Sequence, residues 1–228
     1  MQFLHYLKYF FYLADNWNIK FALFSIYHEI RGENKYGIRT SKLNDLTKLS
    51  IKGDNKEHAK IYQGANYFLL ESMLSYLRST GANKNIIDYG CGKGRVLAVA
   101  ASYGFNKITG IEFAEELCNE ARKNIAALQL QFPGKVFNVI HINAIDYEIE
   151  DNDNVFFFFN PFNEIVMNKV IANILTSLNK NKKMIHVAYL NPRHKQLFIN
   201  AGFTEVFYIK KMTYMEASIL SINRGKDT

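Results

Sequence analysis

Apolar runs and polar turns alternate along most of the chain, and the lengths of the runs separate strands from helices. Short apolar runs predict seven strands, at 85–88, 107–111, 135–141, 155–159, 184–190, 204–209 and 215–222. Apolar residues at helical spacing predict helices at 65–78, 93–103, 115–130, 163–178 and 192–200. Strands that alternate with helices favour a mainly parallel sheet covered on both faces, which is an α/β fold.

The last two predicted strands lack a helix between them. They are joined only by Lys210-Lys211-Met212-Thr213, which is too short for a parallel crossover, so the last strand has to be antiparallel. We therefore expect a seven-stranded, mainly parallel sheet with an antiparallel last strand. Residues 61–228 are long enough for one such domain.

The N-terminal residues form a separate pattern. Residues 1–27 are rich in Phe, Tyr, Leu and Ile but are interrupted by Lys8, Asp15 and Lys20, so no uncharged stretch reaches the ~18 residues of a membrane span. The pattern predicts two short helices at 4–13 and 18–29, and a polar linker or cover at 32–54. Residues 1–60 are thus expected to form a helical extension that caps the core, acts as a lid or makes a homodimer.

Composition narrows the class of protein. The chain has 228 residues, of which 48% are hydrophobic and 21% charged, as in globular domains. Cys91 and Cys118 are its only cysteines and the six histidines are scattered, so we expect no disulfide framework and no metal site. Without a signal peptide pattern, a cytoplasmic location is expected. The net charge of +7 is spread over the chain, which favours a solvated basic surface over nucleic-acid binding and leaves both open.

The strongest chemical signal is a glycine-rich turn between the first predicted strand and the next helix. Gly90, Gly92 and Gly94 have no Cβ, so the backbone can turn tightly and approach a ligand there. The helix that follows directs its first N–H groups towards that ligand. Glu112 ends the second strand 22 residues after Gly90, close to the spacing of ~20 at which a carboxylate meets a ribose in nucleotide-binding βαβ units.

The run Asp88-Tyr89-Gly90-Cys91-Gly92-Lys93-Gly94-Arg95 resembles the first motif of class I S-adenosylmethionine-dependent methyltransferases. Its glycines are spaced G-x-G-x-G, whereas the dinucleotide fingerprint is G-x-G-x-x-G. An acidic residue two positions ahead suits the cationic S-adenosylmethionine and repels a pyrophosphate. The resemblance extends over about 62–222 and implies a Rossmann-like domain with S-adenosylmethionine as its cofactor.

The resemblance implies roles for the residues of this first motif. Asp88 would support the glycine loop and the methionine amino group, and Gly90, Cys91 and Gly92 would lie against the cofactor. Glu112 would accept hydrogen bonds from both ribose hydroxyls. Two alternatives stay open, namely that Asp88 caps the following helix and that Glu112 is an exposed acid.

Further cofactor contacts are implied around the adenine and the methionine ends. Phe113 would pack on the adenine, Asn143 would accept from its amino group, and the backbone N–H of Ala144 would reach the ring. Many members of the family have an aspartate in place of Asn143, so Asp146 is an alternative acid and a turn is an alternative role for Asn143. Tyr62, upstream of the core helix, would cover the methionine end.

A second motif follows the Phe-rich run 155–159, which reads as a buried central strand. Asn160-Pro161-Phe162 resembles the Asn-Pro-Pro-aromatic motif of amino-methylating enzymes, with one proline fewer. In that motif the Asn side chain and a prolyl carbonyl hold a planar NH₂ while the ring stacks on it. The shorter form leaves other nitrogen acceptors open, including lysine. The alternative is that Asn160 caps the helix that begins near Asn163.

These features predict an S-adenosylmethionine-dependent methyltransferase that acts on nitrogen. A protein lysine is favoured by a small margin, followed by RNA or DNA and then by a small molecule. The alternative from another class is a non-catalytic S-adenosylmethionine-binding protein that interacts through its aromatic N-terminus.

Overall fold

The computed structural model describes residues 2–41, 64–82, 84–213 and 215–225. Its helices are α1 (Gln2–Asn16), α2 (Ile19–Tyr36), α3 (Tyr67–Ser79), α4 (Arg95–Ser102), α5 (Glu115–Gln131), α6 (Glu164–Lys180) and α7 (Lys195–Asn200). Its strands are β1 (Asn85–Tyr89), β2 (Lys107–Glu112), β3 (Val136–His141), β4 (Val155–Phe159), β5 (Met184–Leu190), β6 (Thr204–Lys211) and β7 (Met215–Asn223). A short 3₁₀ helix, Ala144–Asp146, follows β3.

The seven strands form one sheet in the order β3-β2-β1-β4-β5-β7-β6. The pairs among β1 to β5 are parallel, and β7 is antiparallel to both β5 and β6. The predicted fold class, including the antiparallel last strand, is confirmed. The strand order reverses between β1 and β4, and at such a reversal the two following loops diverge and leave a crevice at the carboxyl edge of the sheet.

The centre of the sheet is buried on both faces, as the Phe-rich run predicted. The side chain of Phe157 packs on the face covered by α3, α4 and α5, whereas Phe156 and Phe158 pack on the face covered by α6 and α7. All three are fully buried. Each buried Phe stabilises the fold by roughly 1.5–3 kcal/mol, so the strands that end at the crevice are held firmly.

The helical extension differs from the prediction in the length of α2. This helix continues to Tyr36 and ends at Gly37, whose φ of 67° suits the left-handed cap position. The linker predicted from residue 32 is therefore wrong for 32–36, and its part beyond residue 41 lies outside the described residues. Gly32 allows this helix to pack closely, because a Cβ there would lie 2.3 Å from the ring of Tyr67.

The outer faces of α1 and α2 expose several large apolar side chains: Phe3, Leu4, Leu7, Phe11, Ile19, Leu23, Tyr27 and Ile30. The opposite faces join the core through Tyr9, Leu13 and Phe21. The extension thus packs on the domain while it leaves an apolar surface, and a homodimer through these helices stays a prediction. In the described part of the chain, no helix is both long and apolar enough to cross a membrane.

A buried ion pair connects the extension to the glycine-rich motif. The guanidinium of Arg95, the first residue of α4, binds both carboxylate oxygens of Glu29 in α2 at 2.6 and 2.8 Å. The same side chain donates to Thr40 Oγ1 and to the carbonyl of Ala65, and it lies 4.4 Å from the ring centroid of Tyr67.

Removing one member of this pair should destabilise the fold strongly, because it leaves a buried charge without a partner. We expect Glu29→Ala to lower the free energy of unfolding by about 3–5 kcal/mol, as measured by denaturant titration. The matched control is Glu205→Ala, which breaks the half-exposed pair with Lys195 and should cost about 0–1 kcal/mol. Equal losses in the two variants would contradict this account of the buried pair.

Candidate functional site

The crevice at the carboxyl edge of β1, β2 and β4 holds a cavity of about 660 Å³. This volume lies within the range of cofactor pockets, roughly 300–1,000 Å³. Eight of the residues expected at the site line it, namely Gly90, Glu112, Phe113, Asn143, Ala144, Asn160, Pro161 and Phe162. The parallel strands bring them together because their carboxyl ends meet at one edge.

The glycine loop is held tightly against β2. The backbone N–H groups of Gly90 and Cys91 both donate to the carbonyl of Ile111, at 2.8 and 3.0 Å. Gly90 has a φ of 79°, and a Cβ there would lie 3.0 Å from the Cβ of Pro161. The loop that follows β4 therefore lies directly against the first glycine, and a side chain larger than hydrogen would disturb both.

The Glu112 carboxylate accepts hydrogen bonds from three backbone N–H groups of the cavity wall. One oxygen accepts from the N–H of Gly92 at 3.0 Å, and the other accepts from the N–H groups of Phe113 and Ala114, both at 3.0 Å. The alternative that Glu112 is an exposed acid is wrong, since the residue is only 4% exposed. Burial raises the pKa of this carboxyl, although the three N–H groups oppose the shift. The oxygen that binds Gly92 keeps a lone pair for a ligand hydroxyl.

Asp88 is buried beneath the glycine loop rather than at the cavity wall. Burial raises the pKa of its carboxyl well above the usual range, and the nearby Glu112 raises it further. No donor among the described residues reaches this carboxylate, which a cation would therefore stabilise. The alternative that Asp88 caps α4 is wrong, because Gly94 occupies the cap position without a side-chain bond.

Cys91 and Gly92 complete the loop without lining the cavity. The Sγ of Cys91 points at β2, since a Cβ on Gly110 would lie 2.6 Å from it, and burial raises the pKa of the thiol. Gly92 instead directs its N–H at Glu112. The two residues therefore shape the loop through the backbone, whereas Tyr62 lies outside the described residues.

The expected adenine side of the cavity contains Phe113, Asn143 and Ala144. The ring of Phe113 is 37% exposed and so is available for stacking. Asn143 uses its side-chain oxygen to accept from the N–H of Ile145 at 3.3 Å, which is the alternative turn role. Asp146 is exposed and does not line the cavity.

Asn160 stands out because its backbone and its side chain are both unusual. Its φ of 46° places a non-glycine residue in the left-handed region, a geometry that clusters at functional sites. Its Oδ1 is buried and has no hydrogen-bond partner. The alternative that Asn160 caps α6 is wrong, because the side chain of Asn163 accepts from the N–H of Val166 at 3.0 Å and caps the helix itself.

Phe162 closes the wall next to Asn160. Its ring lies edge-on to Tyr89, with centroids 6.2 Å apart, and Tyr89 in turn stacks on Phe158 at 5.0 Å. An exposed part of the Phe162 ring faces the cavity. The Asn-Pro-aromatic motif thus supplies a polar atom and a ring on the same wall.

Sequence reasoning missed the three lining residues with basic side chains, namely His141, Arg193 and His194. His141 ends β3, where its Nε2 lies 2.9 Å from the carbonyl of Phe113. The other two follow β5. Their position after a predicted strand was the one available signal, since parallel strands bring such residues to the same edge.

Comparison with known proteins agrees with this geometry. A family model described as a methyltransferase domain matches residues 80–219. The chain belongs to this methyltransferase family. The matched region begins before β1 and ends within β7, so it covers both motifs and nearly the whole sheet.

Several solved structures share the fold. A candidate RNA methyltransferase from Pyrococcus horikoshii is 16% identical, with a TM-score of 0.53 and coverage of 79% of this chain and 95% of that chain. A SAM-dependent methyltransferase from Aquifex aeolicus is 15% identical, with a TM-score of 0.54 and coverage of 70% and 94%. Magnesium protoporphyrin IX methyltransferase from Synechocystis PCC 6803, with bound SAM, is 13% identical, with a TM-score of 0.51 and coverage of 72% and 87%.

These comparisons confirm the resemblance to class I methyltransferases, and with it the cofactor. Among curated proteins, none matches the sequence. The chain is an S-adenosylmethionine-dependent methyltransferase. Its glycine loop lies beside two buried carboxylates, Asp88 and Glu112, which suit the positive charge of that cofactor. Within the described residues, no group of three or more His, Cys, Asp or Glu side chains could hold a metal ion.

The contact between the glycine loop and Pro161 can be tested with a pair of glycine variants. Gly90 and Gly81 have similar φ values, 79° and 74°, but nothing lies within 4 Å of a Cβ on Gly81. We expect both alanine variants to lose about 1–3 kcal/mol of stability from backbone strain. Only Gly90→Ala should also weaken S-adenosylhomocysteine binding, measured by calorimetry. Equal binding by both variants would show that the Pro161 contact does not matter to the cavity.

Proposed function

We propose that this methyltransferase transfers the methyl group of S-adenosylmethionine to a nitrogen atom that hydrogen-bonds to Asn160. The observation that carries the proposal is the buried Oδ1 of Asn160, which has no partner. A buried acceptor without a partner costs roughly 1–3 kcal/mol, so the site gains when an N–H donor reaches it. Asn160 lines the same cavity as Glu112, at the carboxyl end of β4.

The proposed cofactor contacts follow from the two buried carboxylates. Glu112 would accept from the ribose hydroxyls through the oxygen that now binds only Gly92. Asp88, beneath the loop, would stabilise the positive charge of the methionine end by its own negative charge. Phe113 would stack on the adenine, and the backbone N–H of Ala144 would reach its ring. Asn143 would contribute only its free lone pair, because its amide oxygen already holds the turn.

When bound, S-adenosylmethionine supplies a methyl group on a positively charged sulfur, which is already activated for displacement. The protein then has to position the acceptor and keep its lone pair free. Asn160 would accept one N–H hydrogen bond and so direct the nitrogen lone pair towards the methyl group. The carbonyl of Pro161 and the ring of Phe162 would fix the orientation of the amine. The C–N bond forms as the S–C bond breaks, and the nitrogen loses a proton to water.

The nitrogen could belong to a lysine, as the sequence favoured, or to a small molecule. One feature favours a small molecule, namely a second cavity of about 350 Å³ that adjoins the cofactor cavity and reaches beneath the extension. Arg193 and Lys210 line this second cavity. Glu216 also lines it, and Glu29 does so while paired with Arg95, so the net charge of the lining is positive and opposes the approach of a charged lysine ammonium group. The alternative of a non-catalytic S-adenosylmethionine-binding protein predicts cofactor binding without turnover of any acceptor.

The role of Glu112 predicts a pH dependence of cofactor affinity. A ribose hydroxyl would donate to the charged carboxylate of Glu112, so the affinity for the cofactor should fall when this carboxylate is protonated. Because burial raises the pKa of this group, the affinity should start to decrease at a pH above the ordinary glutamate pKa of about 4.3. Glu112→Ala should weaken S-adenosylhomocysteine binding at least about tenfold and reduce this pH dependence. Calorimetry at several pH values measures both effects. The control Glu205→Ala should retain the wild-type profile, and a Glu112→Ala variant with that profile would refute the ribose contact.

If Asn160 positions the acceptor nitrogen, its substitution should affect turnover but not cofactor binding. We expect Asn160→Ala to reduce methyl transfer roughly 10²-fold, as for the loss of one oriented polar group in an active site, with little change in cofactor affinity. Transfer is measured as S-adenosylhomocysteine release with a lysine-rich peptide, total RNA and aminobenzoate as acceptors. Asn106→Ala, at the opposite edge of the sheet, is the matched control. Retained turnover in Asn160→Ala would refute the nitrogen-positioning role.

A further inference from the structure

The second cavity carries an inference about the acceptor that rests on the proposed function. It is bounded by α1, α2, the start of α3, the ends of β4 and β5, and the turn that joins β6 to β7. Arg193 lines both cavities. Phe159 faces the second cavity and the next residue, Asn160, faces the cofactor cavity, so the two spaces meet at the end of β4. A molecule in the second cavity can therefore extend towards Asn160, the residue proposed to hold the acceptor nitrogen.

One wall of the second cavity is aromatic. Tyr9, Trp17 and Phe21 line it, and Tyr9 and Phe21 are nearly fully buried. Trp17 and Phe21 lie with ring centroids 5.6 Å apart. Rings of this kind provide flat apolar surfaces, on which another flat ring packs with a gain of about 0.5–1.5 kcal/mol beyond its burial.

The polar side chains that line the second cavity differ in whether they already bind another group of the protein. Glu29 is neutralised by its ion pair with Arg95, whereas Glu216 accepts from the hydroxyl of Tyr208 and keeps its negative charge. The hydroxyl of Ser25 is buried and has no partner. A polar side chain that is 3% exposed and unpaired at the edge of a cavity indicates a ligand with a hydrogen-bonding group.

The cations of the lining, in contrast, are available. Within the described residues, neither the guanidinium of Arg193 nor the ammonium of Lys210 forms an ion pair or a side-chain hydrogen bond. A guanidinium suits carboxylate and phosphate oxygens, which it can bind through two N–H groups. Because Arg95 neutralises Glu29, the charges that remain in the lining are Arg193, Lys210 and Glu216, which sum to +1 and favour an anion.

We propose that this second cavity binds the methyl acceptor, and that the acceptor is a small aromatic molecule that carries an anionic group in addition to its nitrogen. The ring packs against Trp17 and Phe21, and the anionic group binds Arg193 and Lys210. The nitrogen then lies at the junction of the two cavities beside Asn160. A carboxylate and a phosphate share this chemistry, and the class excludes a lysine side chain of a folded protein.

Trp17 makes the proposal testable without turnover, because it is the only tryptophan of the chain and it lines the second cavity. Two probes of equal ring size and opposite charge are titrated into the full chain in the presence of S-adenosylhomocysteine, namely naphthoate and naphthylmethylammonium. We expect naphthoate to quench Trp17 fluorescence saturably and the cation to bind more weakly. Calorimetry of the same titrations gives the affinities independently of the optical signal.

Variants of the cations assign the binding to this cavity. Arg193→Gln and Lys210→Gln should each raise the Kd for naphthoate about tenfold, the size of one charged hydrogen bond. Arg78→Gln, an exposed arginine at the far end of α3, is the matched control and should leave the Kd unchanged.

The outcomes separate this proposal from the proposed function. Equal affinity in the cation variants, stronger binding of the cationic probe, or quenching that does not saturate would overturn the anionic aromatic acceptor. None of those results affects the cofactor contacts, which Glu112→Ala tests in the absence of any acceptor. Conversely, retained turnover in Asn160→Ala would refute the nitrogen position while leaving the second cavity as a site for aromatic anions. A lysine-rich peptide or total RNA, added as a competitor, should not displace naphthoate from the second cavity.

Discussion

The buried pair between Arg95 and Glu29 is the interaction on which the arrangement of this protein depends. Taking both charges out of water costs several kcal/mol for each ion, and this cost is offset only while the two-point contact, the hydroxyl of Thr40 and the carbonyl of Ala65 all stay in place. Arg95 begins the helix that follows the glycine loop, so the pair couples the loop to α2. The extension is therefore part of the site and not an appendage.

The carboxyl edge of the sheet concentrates unusual backbone and uncompensated polar groups in a small region. Gly90 in the loop, Asn160 after β4 and Asn191 after β5 all have positive φ values. The chain leaves each strand there by a sharp turn, which directs side chains into the crevice instead of over the surface. Such strain persists only when the surrounding structure holds it, and here the buried strands β1, β4 and β5 provide that support.

The polar groups in and around the two cavities are of two kinds: some have a hydrogen-bond or ion-pair partner within the protein, and others have none among the described residues. Glu29, Asn143 and Asn163 have internal partners, and their contribution is to the fold. Within the described residues, the buried carboxylate of Asp88 and the buried Oδ1 of Asn160 have none. Because burial without a partner is unfavourable, a bound molecule would stabilise both groups, and we propose that Asp88 lies at the cofactor end and Asn160 at the acceptor end.

The sequence by itself determined the fold class, the antiparallel last strand and the motifs that mark the cofactor, because hydrophobic period, loop length and glycine spacing are local properties of the chain. It also identified Glu112 and Asn160, whose positions follow directly from predicted strand ends. Only the tertiary structure decided that Asn143 holds a turn, that α2 continues to Tyr36, and that Arg193 joins two cavities. These depend on which distant segments meet, and a contact between α2 and α4 leaves no periodic signal in either segment.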